Sequence, residues 1–536
     1  MSTRARRCVV MAAAILVTAA VPPVVPSAMA DVAHPDWPVV ARCIDFTHSV
    51  VTLTDHGFSV HDPSGYDWDE SILSPRAWQV PSADPVRSLH VYGLSWIRPL
   101  LVRLEQTQDV ARLDALVTRV AATLDWRPDN GLRTDPVWNE GAVVRRQQAA
   151  NCLYELTGDP RLRRLLLALV RAGSDPVRYY GPPASRPHNH GLMSNLALLE
   201  TARLLGRGDI KDFAVRRLSV AIRGAFTPAG MSIEQSTFYH LANVLGWAQA
   251  ERVLRGLGEP RSAAVADRIA AVLVQARAAL GYLTDPSGRP VPWGDGAPPV
   301  QPTTRQRSLT FVDRIAGVVT GRWRWSTTTD FYGVRFGSPR SMHGHEDRMS
   351  VVWSALGIPV VVDAGTATYA PGVARRWTLD LTTHSAAVVA GRAFQPGQVV
   401  TLTRWTRSGP VHGVSLRGRA YGVDQLRAVL VDSGRHVLSL DDRVASGSVV
   451  QVLQLDPRWL LLALAPNGRT AVFQDGAGHR LQLSTTARVT SVRRGQPGLA
   501  GGWTFRYPPT VATAAARILI SGGSHVVTTL RVVTGG

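Results

Sequence analysis

The stretch SMHGHEDRMS at residues 341–350 places two histidines and two carboxylates within five consecutive residues. An apolar run that predicts a strand follows at residues 351–362 and ends in Asp363-Ala364-Gly365, and His384 comes about twenty residues later. Histidine is the side chain best suited to proton transfer near neutral pH and to binding borderline metals such as zinc. The cluster therefore predicts an enzyme.

The periodicity of the chain changes just before this cluster. Residues 31–325 mostly place apolar residues three and four apart, which is typical of helices, and short turns join those helices into pairs. After about residue 321 the apolar residues alternate, which predicts strands. We therefore predict an (α/α) incomplete toroid over residues 31–325, an antiparallel β-sandwich over residues 326–536, and a ligand cleft between them.

The N-terminus has the pattern of a secretory signal. Three arginines in the first seven residues precede an apolar stretch at residues 9–20, and Ala28-Met29-Ala30 supplies a small-residue cleavage site. We expect residues 1–30 to be removed and the mature protein to be secreted or extracytoplasmic. Because no later apolar run is long enough to cross a bilayer, no integral membrane association is expected.

Cysteine use leaves two possibilities open. Removal of the signal leaves Cys43 and Cys152, which outside the cell form either one disulfide or two separate buried thiols.

The charge balance favours an anionic partner. The formal net charge is +19, and Lys211 is the single lysine, so the cations are almost all arginine. Guanidinium groups form two-point hydrogen bonds to carboxylates and sulfates better than ammonium groups do. A coding bias towards arginine explains the same composition equally well. Nucleic acid is a poor fit, since the sequence has neither a nucleic-acid-binding module nor a dense basic run.

Two further polar segments stand where predicted helices begin. One contains His188-Asn189-His190, and the other runs from Glu234 to His240. Free N–H groups and the helix dipole favour anions at such ends. Taken singly, each segment is better explained by capping or by packing in a first helical turn.

Together these segments carry a resemblance to a known family, the heparinase II/III-like polysaccharide lyases, over nearly the whole mature chain. The matching segments are residues 343–350, Gly357-Ile358-Pro359, residues 361–365, Glu234-Gln235-Ser236 with Phe238-Tyr239-His240, Asn189-His190, Trp138-Asn139-Glu140 with Arg145, and Pro292-Trp293-Gly294-Asp295. The resemblance implies β-elimination on an anionic polysaccharide that contains uronic acid.

The resemblance also implies roles for individual residues in that reaction. Asn189 would grip the sugar carboxylate with His190 beside it, Tyr239 would act as acid and perhaps also as base, and His343 would be the partner base. Whether Tyr239 does both jobs or shares them with His343 stays open. Two histidines and one carboxylate (His345, Asp363 and His384) match a structural Zn²⁺ site, although ligand count alone does not decide whether metal is bound.

A second group of residues is predicted to bind substrate. Arg375 and Arg376 are expected to line an anion channel, and Glu234 and Trp293 complete the predicted group. Trp293 and Trp405 would stack on sugar rings if they were exposed, and would be core residues otherwise.

Two alternatives and one geometric condition remain. A glycoside hydrolase on the same toroid would need two facing carboxylates, for which Asp295 and Glu140 are available. A non-catalytic glycan-binding protein would need only arginines and a cleft.

Since His343 and His345 would face the same side of a straight strand, separate roles require a bend, which Gly344 permits.

Overall fold

The computed structural model describes residues 49–62, 66–82, 84–179, 188–296, 298–300, 304–495, 502–506 and 511–534. All of these residues fall within one compact unit, Val40–Gly536. The predicted signal segment and Cys43 lie outside the described residues. Cys152 is disulfide-bonded. Within the described residues, no helix combines the length and the apolar character that spanning a bilayer requires.

The described chain begins with a small antiparallel sheet and continues with helices. The sheet strands are β1 (Val50–Leu53), β2 (Phe58–Asp62) and β3 (Tyr66–Asp69). The helices are α1 (Pro75–Gln79), α2 (Pro85–Tyr92), α3 (Ile97–Thr107), α4 (Val110–Trp126), α5 (Glu140–Thr157), α6 (Arg161–Ser174), α7 (Pro176–Tyr179), α8 (Asn189–Leu205), α9 (Gly208–Ala225), α10 (Thr237–Gly256) and α11 (Pro260–Tyr282). The three strands lie in the region for which the sequence mostly predicts helices.

The long helices pack as pairs in two layers. Helices α5, α8 and α10 are neighbours in one layer, and each packs against the helix that follows it in sequence, α6, α9 or α11. The inner helix α8 is buried around most of its circumference, whereas α6 buries one stripe that includes Leu162, Leu165 and Leu169. This two-layer arrangement is the predicted incomplete toroid, so the fold class of the helical region is confirmed.

Local capping chemistry places the helix that carries Tyr239. Ser236 precedes α10, and its Oγ accepts a hydrogen bond from Tyr239 N at 3.1 Å. The same hydroxyl donates to the carbonyl oxygen of Asp295 at 2.6 Å. One cap therefore begins the helix and ties its first turn to the loop after α11.

The rest of the chain forms antiparallel sheets. One sheet holds β4 (Thr310–Asp313), β5 (Val318–Arg322), β6 (Phe331–Arg335), β7 (Val351–Ala355) and β8 (Ile358–Val361) in that order. The later strands are β9 (Ala387–Ala390), β10 (Thr401–Ser408), β11 (Val411–Gly418), β12 (Gln425–Asp432), β13 (Val437–Val444), β14 (Ser448–Gln454), β15 (Leu460–Leu464), β16 (Thr470–Gln474), β17 (Arg480–Thr485), β18 (Arg488–Arg494), β19 (Gly502–Arg506), β20 (Val511–Ser521) and β21 (His525–Val533). A short helix, α12 (Val373–Leu379), lies between β8 and β9.

The predicted β-sandwich is confirmed, but its strands begin earlier than residue 326. β4 starts at Thr310, and β5 is buried along its whole length. A strand buried on both faces shows no apolar alternation, so the change of period appears later in the sequence than the change of structure.

The apolar run at residues 351–362 is a hairpin and not a single strand. Leu356 and Gly357 both have positive φ, 55° and 78°, and they join β7 to β8. A Cβ on Gly357 would lie 1.8 Å from the carbonyl oxygen of Thr327, so this position accepts no side chain. Because nearly all of these residues are apolar, the turn could not be predicted from the sequence.

Candidate active site

Tyr239 and His343 meet at the junction of the helical region and the sheets. Their rings are stacked with centroids 3.4 Å apart and planes within 3° of parallel. Tyr239 lies in the first turn of α10, whereas His343 lies in the loop between β6 and β7. The two regions therefore contribute proton-transfer groups to one site.

The loop around Gly344 separates the two histidines of the cluster. Residues 341–350 form turns and not a strand, so the bend that separate roles require is present. A Cβ on Gly344 would come within 2.3 Å of Gln235 Oε1, which itself accepts a hydrogen bond from Ser341 N at 2.7 Å. The His343 side chain is 21 % exposed and the His345 side chain is 0 % exposed. His343 thus faces the cleft, and His345 faces the interior.

Asn189 is placed to offer its amide group to an anion. Its backbone N–H donates to Glu234 Oε1 at 2.8 Å, and its Oδ1 lies 2.8 Å from Nδ1 of His188. Because Oδ1 can only accept, this contact is a hydrogen bond in the His188 tautomer that carries its proton on Nδ1, whereas in the other tautomer the same nitrogen accepts from the backbone N–H of His190 at 3.4 Å. This orientation leaves Asn189 Nδ2 with no hydrogen bond to any described residue, as a donor for a ligand.

Glu234 connects the groups around the cleft without facing solvent. It is 1 % exposed, and its Oε1 also accepts from Asn243 Nδ2 at 2.7 Å, while Asn243 donates to the carbonyl oxygen of Tyr239 at 2.9 Å. Its Oε2 lies 3.6 Å from His343 Nε2. Glu234 therefore contacts both Asn189 and His343 from a buried position, and its role in binding substrate stays a prediction.

A second buried carboxylate, Asp295, lies on the other side of His343. Its Oδ2 is 3.4 Å from His343 Nδ1, and its Oδ1 is 3.0 Å from His345 Nε2. Arg375 forms a two-point ion pair with it, through Nη1 to Oδ1 and through Nη2 to Oδ2 at 2.8 Å. Burial opposes the charge, but these hydrogen bonds hold the pKa of Asp295 far below its usual range. Asp295 is therefore a permanent anion behind the two histidines.

Tyr239 is protonated under ordinary conditions. Burial raises the pKa of its hydroxyl to about 12, although a hydrogen bond from Tyr369 acts in the opposite direction. Tyr369 lies six residues after Asp363, and burial and the neighbouring Tyr239 raise its own pKa well above the ordinary value. A neutral tyrosine at this position is suited to donate a proton.

His190 is neutral and lies behind Asn189. Burial, followed by the charges of His188, Arg145 and His343, lowers the pKa of His190 well below its ordinary value. Among the described residues, only Glu140, His188 and His190 bring three metal-ligating atoms within 4.8 Å of one another. The ligand atoms of the predicted set, His345, Asp363 and His384, do not all lie within that distance of one another.

The two imidazoles of the predicted metal set nonetheless fit a cation. Asp363 Oδ2 lies 2.8 Å from His384 Nδ1, and Asp295 takes one nitrogen of His345 in the same way. The remaining nitrogens, His345 Nδ1 and His384 Nε2, are buried without a hydrogen-bond partner in the described structure. Carboxylate on one ring nitrogen and an open second nitrogen is the usual arrangement of metal-binding histidines. The main role of Asp363 is therefore to orient the imidazole ring of His384.

The remaining predicted substrate contacts have different outcomes. Trp293 is 2 % exposed and packs in a core with Met231, Phe311 and Phe331, so the prediction that it stacks on a sugar is wrong. Arg375 is engaged by Asp295, which makes it a positioning residue in this structure. Arg376 is exposed on α12, and its role in binding substrate stays a prediction.

Sequence reasoning did not find the central roles of Asp295 and Tyr369. Asp295 was noted only in a matching segment and as an acid for the alternative hydrolase, and Tyr369 was not assigned a role. An aspartate after Trp-Gly in a Pro/Gly-rich connection is a weak signal, since loops carry many such residues.

Comparisons with known proteins agree with this architecture. Residues 331–529 match the family described as Heparinase II/III-like, C-terminal. A crystal structure of heparinase III has a TM-score of 0.69 at 14 % identity, covering 86 % of this chain and 79 % of that chain. A mutant heparan sulfate lyase from Pedobacter heparinus has a TM-score of 0.61 at 16 % identity, covering 88 % and 80 %. At such identities the structures establish a shared fold. A comparison with curated proteins found no similar sequence.

Proposed function

We propose that this chain, of which residues 331–529 match the family described as Heparinase II/III-like, C-terminal, is a secreted lyase that cleaves a uronic-acid-containing anionic polysaccharide by β-elimination. The observation that carries the proposal is the contact between Tyr239 and His343, with their rings 3.4 Å apart. A protein that only bound glycans would have no need of a proton-transfer pair.

The physical problem in such a reaction is the weak acidity of the carbon beside the carboxylate. Asn189 Nδ2, held outward by His188, would donate to that carboxylate and reduce its negative charge. A donor aimed at developing charge contributes about 3 kcal/mol to lowering the barrier in comparable sites.

Proton transfer then divides between the two stacked rings. His343 takes the proton, the C–H electron pair forms the new double bond, and the C–O bond to the leaving sugar breaks. Tyr239 donates its proton to the leaving oxygen. The imidazolium that forms lies between two carboxylates, with its Nε2 3.6 Å from Glu234 Oε2 and its Nδ1 3.4 Å from Asp295 Oδ2. Transfer of that proton to the phenolate restores both groups.

The location outside the cytoplasm is supported by two observations. Residues 1–30 have the pattern of a secretory signal. Cys152 is disulfide-bonded, and disulfides persist mainly in oxidising compartments.

The charge state of Asp295 disfavours this residue as the acid of a glycoside hydrolase. A hydrolase needs one carboxylic acid with a raised pKa to protonate the leaving oxygen. Asp295 has the opposite property, since its hydrogen bonds to His343, His345 and Arg375 hold its pKa far below the usual range.

A polymer panel tests the proposal directly. The mature protein is incubated with alginate, heparan sulfate, hyaluronan, chondroitin and polygalacturonate, and ultraviolet absorbance and reducing ends are followed together. A lyase raises both signals on at least one polymer, because each cleavage forms a conjugated double bond and a new end. Reducing ends without absorbance would establish hydrolysis, and retention without either signal would establish a binding protein.

Asp295→Asn tests the positioning of His343. The substitution keeps the shape but removes the anion, so kcat is expected to fall about 10- to 100-fold with little change in KM. Asp330→Asn is the matched control, since Asp330 is also a buried partner of a histidine, 3.0 Å from His436 Nδ1. Equal kcat values for Asp295→Asn and the unmodified protein would remove Asp295 from the mechanism.

We also propose that His345 and His384 hold a structural Zn²⁺, with Asp363 orienting His384. Such an ion would fasten the loop after β6 to the segment before β9, and no proton-transfer step passes through it. His384→Ala is expected to abolish zinc retention and to cost about 2 kcal/mol of stability, because Asp363 loses a charged hydrogen bond. Metal analysis and thermal unfolding provide the measurements.

His479→Ala is the control for the metal prediction. His479 forms the same kind of pair, 2.9 Å from Asp475, at a more exposed position. Zinc content that is the same in both variants and in the unmodified protein would rule out the proposed ligands.

A further inference from the structure

A cluster of aromatic and arginine side chains lies at the open edge of the sandwich. It is formed by the sequence Arg-Trp-Arg-Trp at residues 322–325 and by Trp405 and Arg407 of β10. β10 is an edge strand of the eight-stranded sheet. We name Trp323, Arg324, Trp325, Trp405 and Arg407 the RW patch.

Two rings of the RW patch share a base formed by Tyr332 and His412. Trp323 stacks on His412 with ring centroids 4.3 Å apart, and Trp405 Nε1 lies 3.4 Å from the hydroxyl of Tyr332. Tyr332 and His412 are themselves in edge contact, with centroids 5.7 Å apart. Trp323 and Trp405 therefore belong to one continuous surface.

The arginines and the third tryptophan join the same surface. The guanidinium of Arg407 lies 4.9 Å from the ring centroid of Trp405 and donates to Thr310 Oγ1 at 3.1 Å. Trp325 Nε1 donates to the carbonyl oxygen of Ser308, which is two residues from Thr310. Since these contacts are internal, the indole N–H groups are satisfied while the three rings remain only half-buried.

The RW patch carries two positive charges, of which that of Arg324 acts on the buried Asp330. Arg324 and Arg407 are exposed, and neither forms an ion pair within the described part of the chain. His412 beneath them is neutral, because burial and the charge of Arg407 lower its pKa to about 4. Exposed guanidinium groups beside half-buried indole rings suit a ligand that combines apolar ring faces with anionic groups.

The RW patch is separate from the active site. Arg322 pairs with Phe331 at the first residue of β6, whereas the loop that carries His343 follows Arg335 at its last residue. Four strand steps at about 3.3 Å each separate these ends by about 13 Å. The RW patch and the loop that carries His343 therefore lie at opposite ends of β6.

We propose that the RW patch is a second, non-catalytic binding site for anionic polysaccharide. Sugar rings would lie against the faces of Trp323 and Trp405, and Arg324 and Arg407 would pair with carboxylate or sulfate groups. The choice of polysaccharide as ligand rests on the proposed function, but binding at the RW patch does not depend on turnover.

The test measures binding in a Tyr239→Phe background, so that no polymer is cleaved. Arg324→Gln/Arg407→Gln is compared with Arg480→Gln/Arg531→Gln, which removes two exposed arginines from β17 and β21 of the same large sheet. Affinity electrophoresis in gels containing heparin or alginate gives the dissociation constants, and neutral dextran serves as the uncharged polymer. Thermal unfolding verifies that both variants are folded.

The RW patch variant is expected to bind the anionic polymers about fivefold more weakly than the Arg480/Arg531 variant, the effect of losing two exposed ion pairs. Trp323→Phe, which keeps an aromatic ring of smaller area, should weaken binding less than Trp323→Ala. An affinity of the RW patch variant equal to that of the Tyr239→Phe parent would overturn the proposal. Equal loss of affinity in the two arginine variants would also overturn it, because it would show that net charge alone binds the polymer. Since turnover is not measured, a protein without lyase activity still decides the question.

Discussion

Replacing Tyr239 with phenylalanine is expected to lower kcat by about 10³-fold while substrate affinity stays nearly unchanged. The substitution removes a single hydroxyl from a ring whose stacking on His343 and position in α10 are kept. Because burial raises the pKa of Tyr239 to about 12, the group carries its proton at neutral pH, and we propose it as the acid of the pair. Steady-state absorbance kinetics and affinity electrophoresis measure the two quantities.

Tyr421→Phe is the matched control for this prediction. Tyr421 is also a tyrosine with a pKa raised by burial, but it packs against Phe394 in the sandwich. It should leave kcat unchanged. If Tyr239→Phe retained full turnover, the acid would have to be another group, and Tyr369 would be the first to examine, because its hydroxyl is hydrogen-bonded to that of Tyr239.

Arg427→Met is expected to reduce the free energy of unfolding by about 3–5 kcal/mol. Arg427 is fully buried between the sheets and forms a two-point ion pair with Asp442, at 2.7 and 2.8 Å. Its Nη1 also donates to the carbonyl oxygens of Met349 and Ser385. The variant leaves Asp442 as an uncompensated buried charge. It also removes the hydrogen bonds to Met349, in the histidine-rich loop, and to Ser385, which follows His384.

Denaturant unfolding measures this loss, and Arg443→Met on the neighbouring strand provides the comparison. Arg443 pairs with Asp441, but its side chain is 58 % exposed, so its loss should cost less than about 1 kcal/mol. A large part of the Arg427→Met effect should be recovered in Arg427→Met/Asp442→Leu, which removes the unpaired charge. Comparable losses for Arg427→Met and Arg443→Met would contradict the assigned role of the buried pair.

Several features of the site were predictable because they are encoded within short segments. Capping was one explanation given for the segment from Glu234 to His240, and Ser236 does cap α10; the turn at Gly344 is the bend that separate roles for His343 and His345 require. Other features were not predictable. Trp293 lies in the same segment as Asp295, yet one is a core residue and the other orders the active site. Nothing in their local sequence distinguishes these outcomes.

The sequence by itself determined the order of helices and strands and the presence of a histidine-rich loop, because apolar periodicity and turn residues act over a few positions. Only the tertiary structure decided which side chains meet. Tyr239 reaches His343 across about one hundred residues, and Asp295 reaches His343 across 48. Such contacts arise from the packing of the toroid against the sheets, and packing depends on the burial of whole faces and not on any local pattern.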